Sequence, residues 1–189
     1  ICSHDQFLWR DIAIRDIDLY NYTFYNEQHF IRLFHKQYIV NNGRAWKILG
    51  IVHRFDDKPA QITTDGSRVW VKRGHTHRIG DKPAQILANG DKSWLQWGKF
   101  HRDNDKPAII EVGKRKVWFC NGKFHREHDQ PAIIGADGER VWYYNGKIHR
   151  DCDDQPAYIG IKGRYWYNRG KLFRHNDLPT CVLANGLQV

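Results

Sequence analysis

Histidine, arginine and aspartate recur together along this chain, a set able to do acid–base chemistry. The pairs are His53-Arg54, His77-Arg78, His101-Arg102, His125-Arg126 and His149-Arg150, with Phe173-Arg174 as the sixth copy. An aspartate follows each, at Asp57, Asp81, Asp105, Asp129, Asp154 and Asp177. Histidine beside a carboxylate can act as a general base, and arginine grips a carboxylate in a two-point clasp. Copy number points away from catalysis. An active site is one asymmetric cluster in a pocket, whereas every candidate here comes five or six times. If each repeat adds two strands, successive histidines lie ~10 Å apart, too far to share a metal at ~2 Å ligand distances. The pairs His75-x-His77 and His125-x-x-His128 occur once each. No phosphate-binding glycine loop, G-x-S-x-G turn or paired-thiol motif is present. The chain therefore reads as non-enzymatic, with no catalytic residue, metal or cofactor. The arginines (Arg54, Arg78, Arg102, Arg126, Arg150, Arg174) and the six aspartates read as a structural ladder.

The ladder belongs to a 24-residue period set by Trp46, Trp70, Trp94, Trp118, Trp142 and Trp166. Glycine keeps the same step, at Gly50, Gly74, Gly98, Gly122, Gly146 and Gly170. Such self-similarity marks a repeat architecture, which offers a long surface in place of one pocket. One clear copy, Pro107 to His125, reads P-A-I-I-E-V-G-K-R-K-V-W-F-C-N-G-K-F-H. Glycine turns separate short runs rich in Ile, Val, Tyr and Trp, a strand-and-hairpin signature. Ala60/Ile62 and their equivalents stand two apart and read as one buried face. Asn121-Gly122 and Asn145-Gly146 fit two-residue turns in which both residues take positive φ. A proline opens a strand in each repeat (Pro59, Pro83, Pro107, Pro131, Pro156, Pro179), where its missing N–H costs little. One extra residue near Cys152 shifts Pro156 by one while Trp and Arg keep register, so the insertion sits in a loop.

Two residues before each tryptophan stands a cation: Arg44, Arg68, Lys92, Lys116, Arg140 and Arg164. By strand alternation it shares the face of Trp46, Trp70, Trp94, Trp118, Trp142 and Trp166 respectively. Two uses of this strip are open: cation–π stacking on the tryptophan of a neighbouring strand, or a basic-aromatic surface for nucleic acid.

Net charge is +9, made of −1 over residues 1–42 and +10 over the rest. A basic array suits an acidic partner, whether nucleic acid, an anionic surface or a protein. Aromatic content of 14% and apolar content of 41% argue against disorder. Cys2, Cys120, Cys152 and Cys181 share no metal-like spacing and read as scattered thiols of a reducing compartment. No apolar run approaches ~18–20 residues, so no membrane span is expected, and no signal peptide is visible. Methionine is absent, so Ile1 reads as other than the native start, and the sequence as a fragment, a processed product or the ordered part of a longer chain.

The expected architecture is mainly β: six repeated antiparallel hairpins over 43–189 forming an elongated sheet or solenoid, with a small α-helical cap over 1–42. In the cap, Ser3 to Gln6 has capping-box spacing, and Leu8, Trp9 and Ile12 share a helical face. Phe30, Ile31, Phe34 and Tyr38 extend helical spacing across 26–40.

The W-x-x-N-G-K-x-H-R segments, as in Trp142 to Arg150, resemble MORN repeats. The likeness covers about 44–189, with a longer period, arginine in place of a second glycine, and an added D-x-P-A element. It is similar to variant arrays in proteins of large DNA viruses and some bacteria and phages. That resemblance implies a hairpin scaffold with protein or lipid partners. The run D-Q-F-L-W-R-D-I, with Phe7, Leu8, Trp9 and Ile12, resembles the C-terminal part of an F-box. It implies a Skp-type ubiquitin-ligase subunit as partner, provided that a full F-box exists upstream. The functional expectation is a scaffold for protein–protein interaction, structural within a viral assembly. A ubiquitin-ligase substrate adaptor and a basic nucleic-acid binder are the alternatives. An intracellular location follows, in host cytoplasm, viral factory or virion and not secreted.

Overall fold

The computed structural model describes residues 35–40, 43–48, 50–152 and 154–189. The cap over the first 34 residues, with its F-box-like segment, lies outside the described residues. Of the helical pattern drawn across 26–40, the described part is corrected: His35–Val40 is a strand paired with Gly43–Ile48. Tyr38, Ile39 and Val40 are aromatic or β-branched, and side chains of this kind fit a pleated surface better than a helix.

His35–Val189 forms one compact unit. Its main element is a 14-stranded antiparallel sheet to which each full repeat adds two short strands. Five separate two-stranded hairpins make a second layer. A repeat therefore contains four strands. In the third full period these are Ile109–Ile110 and Arg115–Val117 in the sheet, then Phe119–Cys120 and Lys123–Phe124 in the hairpin.

Tryptophan is the residue at which the chain changes layer. The Trp118 N–H donates to the Ala132 carbonyl of the next sheet strand, while its own carbonyl accepts from His125 N–H in the hairpin. Trp70, Trp94, Trp142 and Trp166 repeat both bonds. In these five copies the short strands end on either side of the tryptophan, whereas Trp46 makes the same two bonds inside the longer strand Gly43–Ile48.

The hairpin turns follow their sequence. Asn121 and Gly122 sit at φ +49° and +83°, Asn145 and Gly146 at +48° and +85°. Gly122 is also the point of closest approach between hairpins. Its N–H donates to the Phe100 carbonyl, and a Cβ there would meet the Lys99 stem at 3.5 Å.

Between the layers, cross-strand partners from neighbouring repeats line up in one row. It is mixed at first (Gln61, Val69, Gln85, Ser93) and wholly apolar later (Ile109, Val117, Ile133, Val141). Val117, Ile133 and Val141 form the buried cluster, covered by Phe119, Phe124, Tyr143 and Ile148 of the hairpins. Phe119, Phe124 and Tyr143 continue as an aromatic file, with successive ring centroids 4.4 and 4.8 Å apart. Among the described residues no helix is long and apolar enough to cross a membrane.

Candidate interaction surface

The recurring polar groups divide into those consumed between repeats and those left outside. Each Arg-Asp clasp joins two repeats. Arg126 donates to both carboxylate oxygens of Asp105, in the preceding repeat, at 2.8 Å each. Arg78 does so to Asp57 and Arg150 to Asp129, and Arg102 donates to Asp81. The third contact is local: Arg126 Nη1 donates to the Pro131 carbonyl at 3.3 Å. The aspartate is presented by a loop of left-handed residues, Asn104 at φ +60° and Asp105 at +51° in this copy. Asn and Asp tolerate that region better than most residues. Among the described residues, Asp154 and Asp177 enter no such clasp and Arg174 Nε has no partner.

The same arginines stack on the tryptophans. Each guanidinium carbon lies 3.6 to 4.1 Å from the centroid of the indole eight residues earlier, from Arg54 over Trp46 to Arg174 over Trp166. Each indole is 6–8% exposed. The N–H of Trp70, Trp118 and Trp142 donates to the backbone carbonyl of the aspartate in the preceding loop at 2.9 to 3.0 Å. The stacking cation is therefore the arginine of the His-Arg pair, and the one two residues before the tryptophan takes no part. Alternation along one strand cannot show this, because the chain leaves the sheet at the tryptophan.

The histidines are consumed as well. Nδ1 of His53, His77, His101, His125 and His149 accepts the backbone N–H of the first turn residue in the next hairpin, at 3.0 to 3.4 Å. With Nδ1 accepting, the proton sits on Nε2. That atom faces Asp103 from His101, Glu127 from His125 and Asp151 from His149, at 2.7 to 3.0 Å. The sequence reading missed this role, although the constant 20-residue offset from histidine to turn was visible. Among the described residues no group of three His, Cys, Asp or Glu is placed to hold a metal.

The cations before the tryptophans remain. Arg44, Arg68, Lys92, Lys116, Arg140 and Arg164 are all exposed. None has a side-chain hydrogen bond, ion pair or ring contact among the described residues. Each lies opposite isoleucine on the sheet: Lys116 is flanked by Ile110 and Ile134, and Arg140 by Ile134 and Ile159. The row runs without interruption from Ile39 opposite Arg44 to Arg164 opposite Val182. Cation and isoleucine alternate strand by strand. Ile62, Ile86, Ile110, Ile134 and Ile159 are half-buried, where the alternation with alanine predicts a fully buried face. Only the alanines are closed off, with Ala60, Ala84, Ala108, Ala132 and Ala157 at 0% exposure.

The clasp gives a signed pH dependence. Hydrogen bonding from Arg78, assisted by Lys82, holds the Asp57 carboxyl down at about 2. Asp81 is lowered by Arg102 and Lys106, and Asp105 by Arg126. A carboxyl depressed in the folded state contributes stability above its unfolded value of about 3.9, and that contribution is lost as pH falls toward the folded value. The array is expected to weaken between about pH 4 and pH 2. Urea midpoints taken across that window should fall less for Asp57→Asn than for the parent chain, and equal falls would contradict the clasp.

Comparison of the chain with protein-family models, with curated proteins and with solved structures finds no match in any of the three.

Proposed function

We propose that this chain is a non-enzymatic repeat scaffold that docks a protein partner bearing acidic groups on its cation–isoleucine row. One observation carries the reading. The histidines, the ladder arginines and the indole N–H groups of Trp70, Trp118 and Trp142 are consumed inside the array, while the six cations of the row are exposed and, among the described residues, unpaired. A charge kept at the same register in six copies without an internal partner is available to an external one. The half-buried isoleucines add apolar area between the charges, the composition of a docking face more than of a solvated surface. The indoles are buried, so the basic-aromatic surface expected for single-stranded nucleic acid lacks its stacking half. The resemblance of the repeats to MORN arrays, which are generally non-enzymatic scaffolds, supports this reading, and a viral assembly is its proposed setting.

Reversing three charges tests the surface without touching the fold. Arg68→Glu/Lys116→Glu/Arg140→Glu alters exposed, unpaired positions, so each change should move stability by no more than about 0.5 kcal/mol. Carbodiimide joins carboxylates directly to amines. A partner retained by the parent chain is expected to cross-link through its Asp or Glu to Lys92 and Lys116, and to be lost from the triple variant. Equal retention by both, or cross-links confined to the hairpin lysines Lys99, Lys123 and Lys147, would sink the proposal.

A further inference from the structure

The geometry of the row points to one kind of occupant: we infer that the partner segment is a single α-helix lying along the row, with acidic and apolar residues alternating down its contact stripe. This rests on the docking function proposed above and narrows it.

Width is the first constraint. From Gln61 onward the sheet strands are two or three residues long, which at ~3.3 Å per residue makes a ribbon ~7–10 Å across. A helix with its side chains is about 10–12 Å in diameter, so the ribbon accommodates one such rod and no more.

Spacing is the second. Neighbouring strands place cation and isoleucine ~4.8 Å apart. Successive positions of a heptad stripe are 3.5 residues apart on average, or ~5.2 Å at 1.5 Å per residue. An acidic side chain over each cation and an aliphatic one over each isoleucine would stay in step to within ~0.5 Å per strand. That error reaches half a strand spacing after about five strands, so the match holds over about three heptads. An extended segment fails at once. Its same-face residues recur at ~6.6 Å and fall out of step within two strands.

Edge charge is the third. Carboxylates stand at the turn edge of the ribbon in several repeats, among them Asp65, Asp91 and Asp137. Asp65 is hydrogen-bonded by Thr63 and Ser67, and Asp91 by the Val112 N–H. Both carboxyls are lowered by these bonds and stay ionised. Carboxylates in three of the turns, interrupted by Lys114 and Lys162 in two others, disfavour a phosphate backbone, which spreads its own charge along its whole length. A helix can meet the cation row and these carboxylates together, with acidic residues on the stripe and lysine or arginine on one flank opposite Asp65, Asp91 and Asp137.

Synthetic probes against the intact chain decide the matter. The first is a peptide about three heptads long with Glu at a, Leu at d, Lys on one flank and Ala or Gln elsewhere. The second has the same composition arranged with period two. The third is a duplex of roughly twenty base pairs, and all are titrated by fluorescence anisotropy at low and physiological salt. The first peptide is expected to bind about tenfold or more tighter than the second, and to gain helical circular dichroism on binding. Lys92→Glu/Lys116→Glu should weaken it by about tenfold or more, whereas Lys99→Glu/Lys123→Glu, with the same charge change on the hairpin layer, should leave it within about twofold. If the period-two peptide binds as well and is lost in the row variant, the helix is overturned and the docking surface stands. If neither peptide responds to the row variant, or the duplex binds tightest with a steep salt dependence, both readings fall. Unchanged circular dichroism of each variant alone secures the comparison.

Discussion

Replacing Trp142 with alanine is expected to destabilise the array by about 3–5 kcal/mol, the cost of emptying an aromatic site in a core. The indole is 6% exposed, so the substitution exposes a cavity that the flanking loop cannot easily fill. Arg150, stacked 4.1 Å above the ring, loses its platform while staying tied to Asp129. The Asp129 carbonyl loses the indole N–H that meets it at 3.0 Å. Each repeat touches only its neighbours, so damage in an interior repeat divides the array instead of weakening it evenly. Hydrogen exchange should therefore rise first in the sheet strands around Val141 and Tyr158. Trp142→Phe keeps the stack and gives up the hydrogen bond, at a cost of about 1–2 kcal/mol. A loss below ~1 kcal/mol for Trp142→Ala would mean that the crossover is held by its backbone bonds alone.

Arg126→Ala should cost about 2–3 kcal/mol, because it removes a stack, a carboxylate clasp and a carbonyl contact together. The array contains its own control. Arg174 keeps the stack on Trp166 at 3.9 Å and a bond to the Pro179 carbonyl, but its Nε has no partner. Arg174→Ala is accordingly expected to cost about 1 kcal/mol. The gap between the two variants in urea denaturation measures the clasp separately from the stack. Lysine at 126 should recover little, since an ammonium supplies neither the planar face nor the fork. Equal losses at 126 and 174 would show that the carboxylate adds nothing.

The period, the strands and the turn glycines were legible in the sequence because each rests on local chemistry. Asn-Gly between two short β-prone runs specifies its turn locally, as at Asn121 and Asn145. What lay beyond reach was every relation between repeats. Arg126 could close on Asp129 in its own loop or on Asp105 in the previous one, and only the placement of successive loops decides between them. The split of each repeat into two layers was likewise hidden, because a break at tryptophan is a tertiary event: its N–H and carbonyl find partners in different sheets. The strand at His35–Val40 went the other way. Helical spacing carried on from residues outside the described part, while β-branched Ile39 and Val40 already favoured the pleat. The cation–isoleucine alternation could have been found from sequence, since Ile110 and Lys116 are equidistant from their turn.

The extra residue near Cys152 has a mechanical meaning. It lengthens the loop, so Arg150 reaches the Pro156 carbonyl six residues on where its counterparts reach five, and among the described residues Arg174 has no clasp across the joint. Every earlier junction with a described clasp resists separation with both backbone ladders and an ionic tie, while the last, among the described residues, resists with backbone bonds and the stack. Pulled from its two ends, such an array yields first at that joint. The final repeat would act as a fuse, releasing its length at low force while the four clasped junctions ahead of it stay shut.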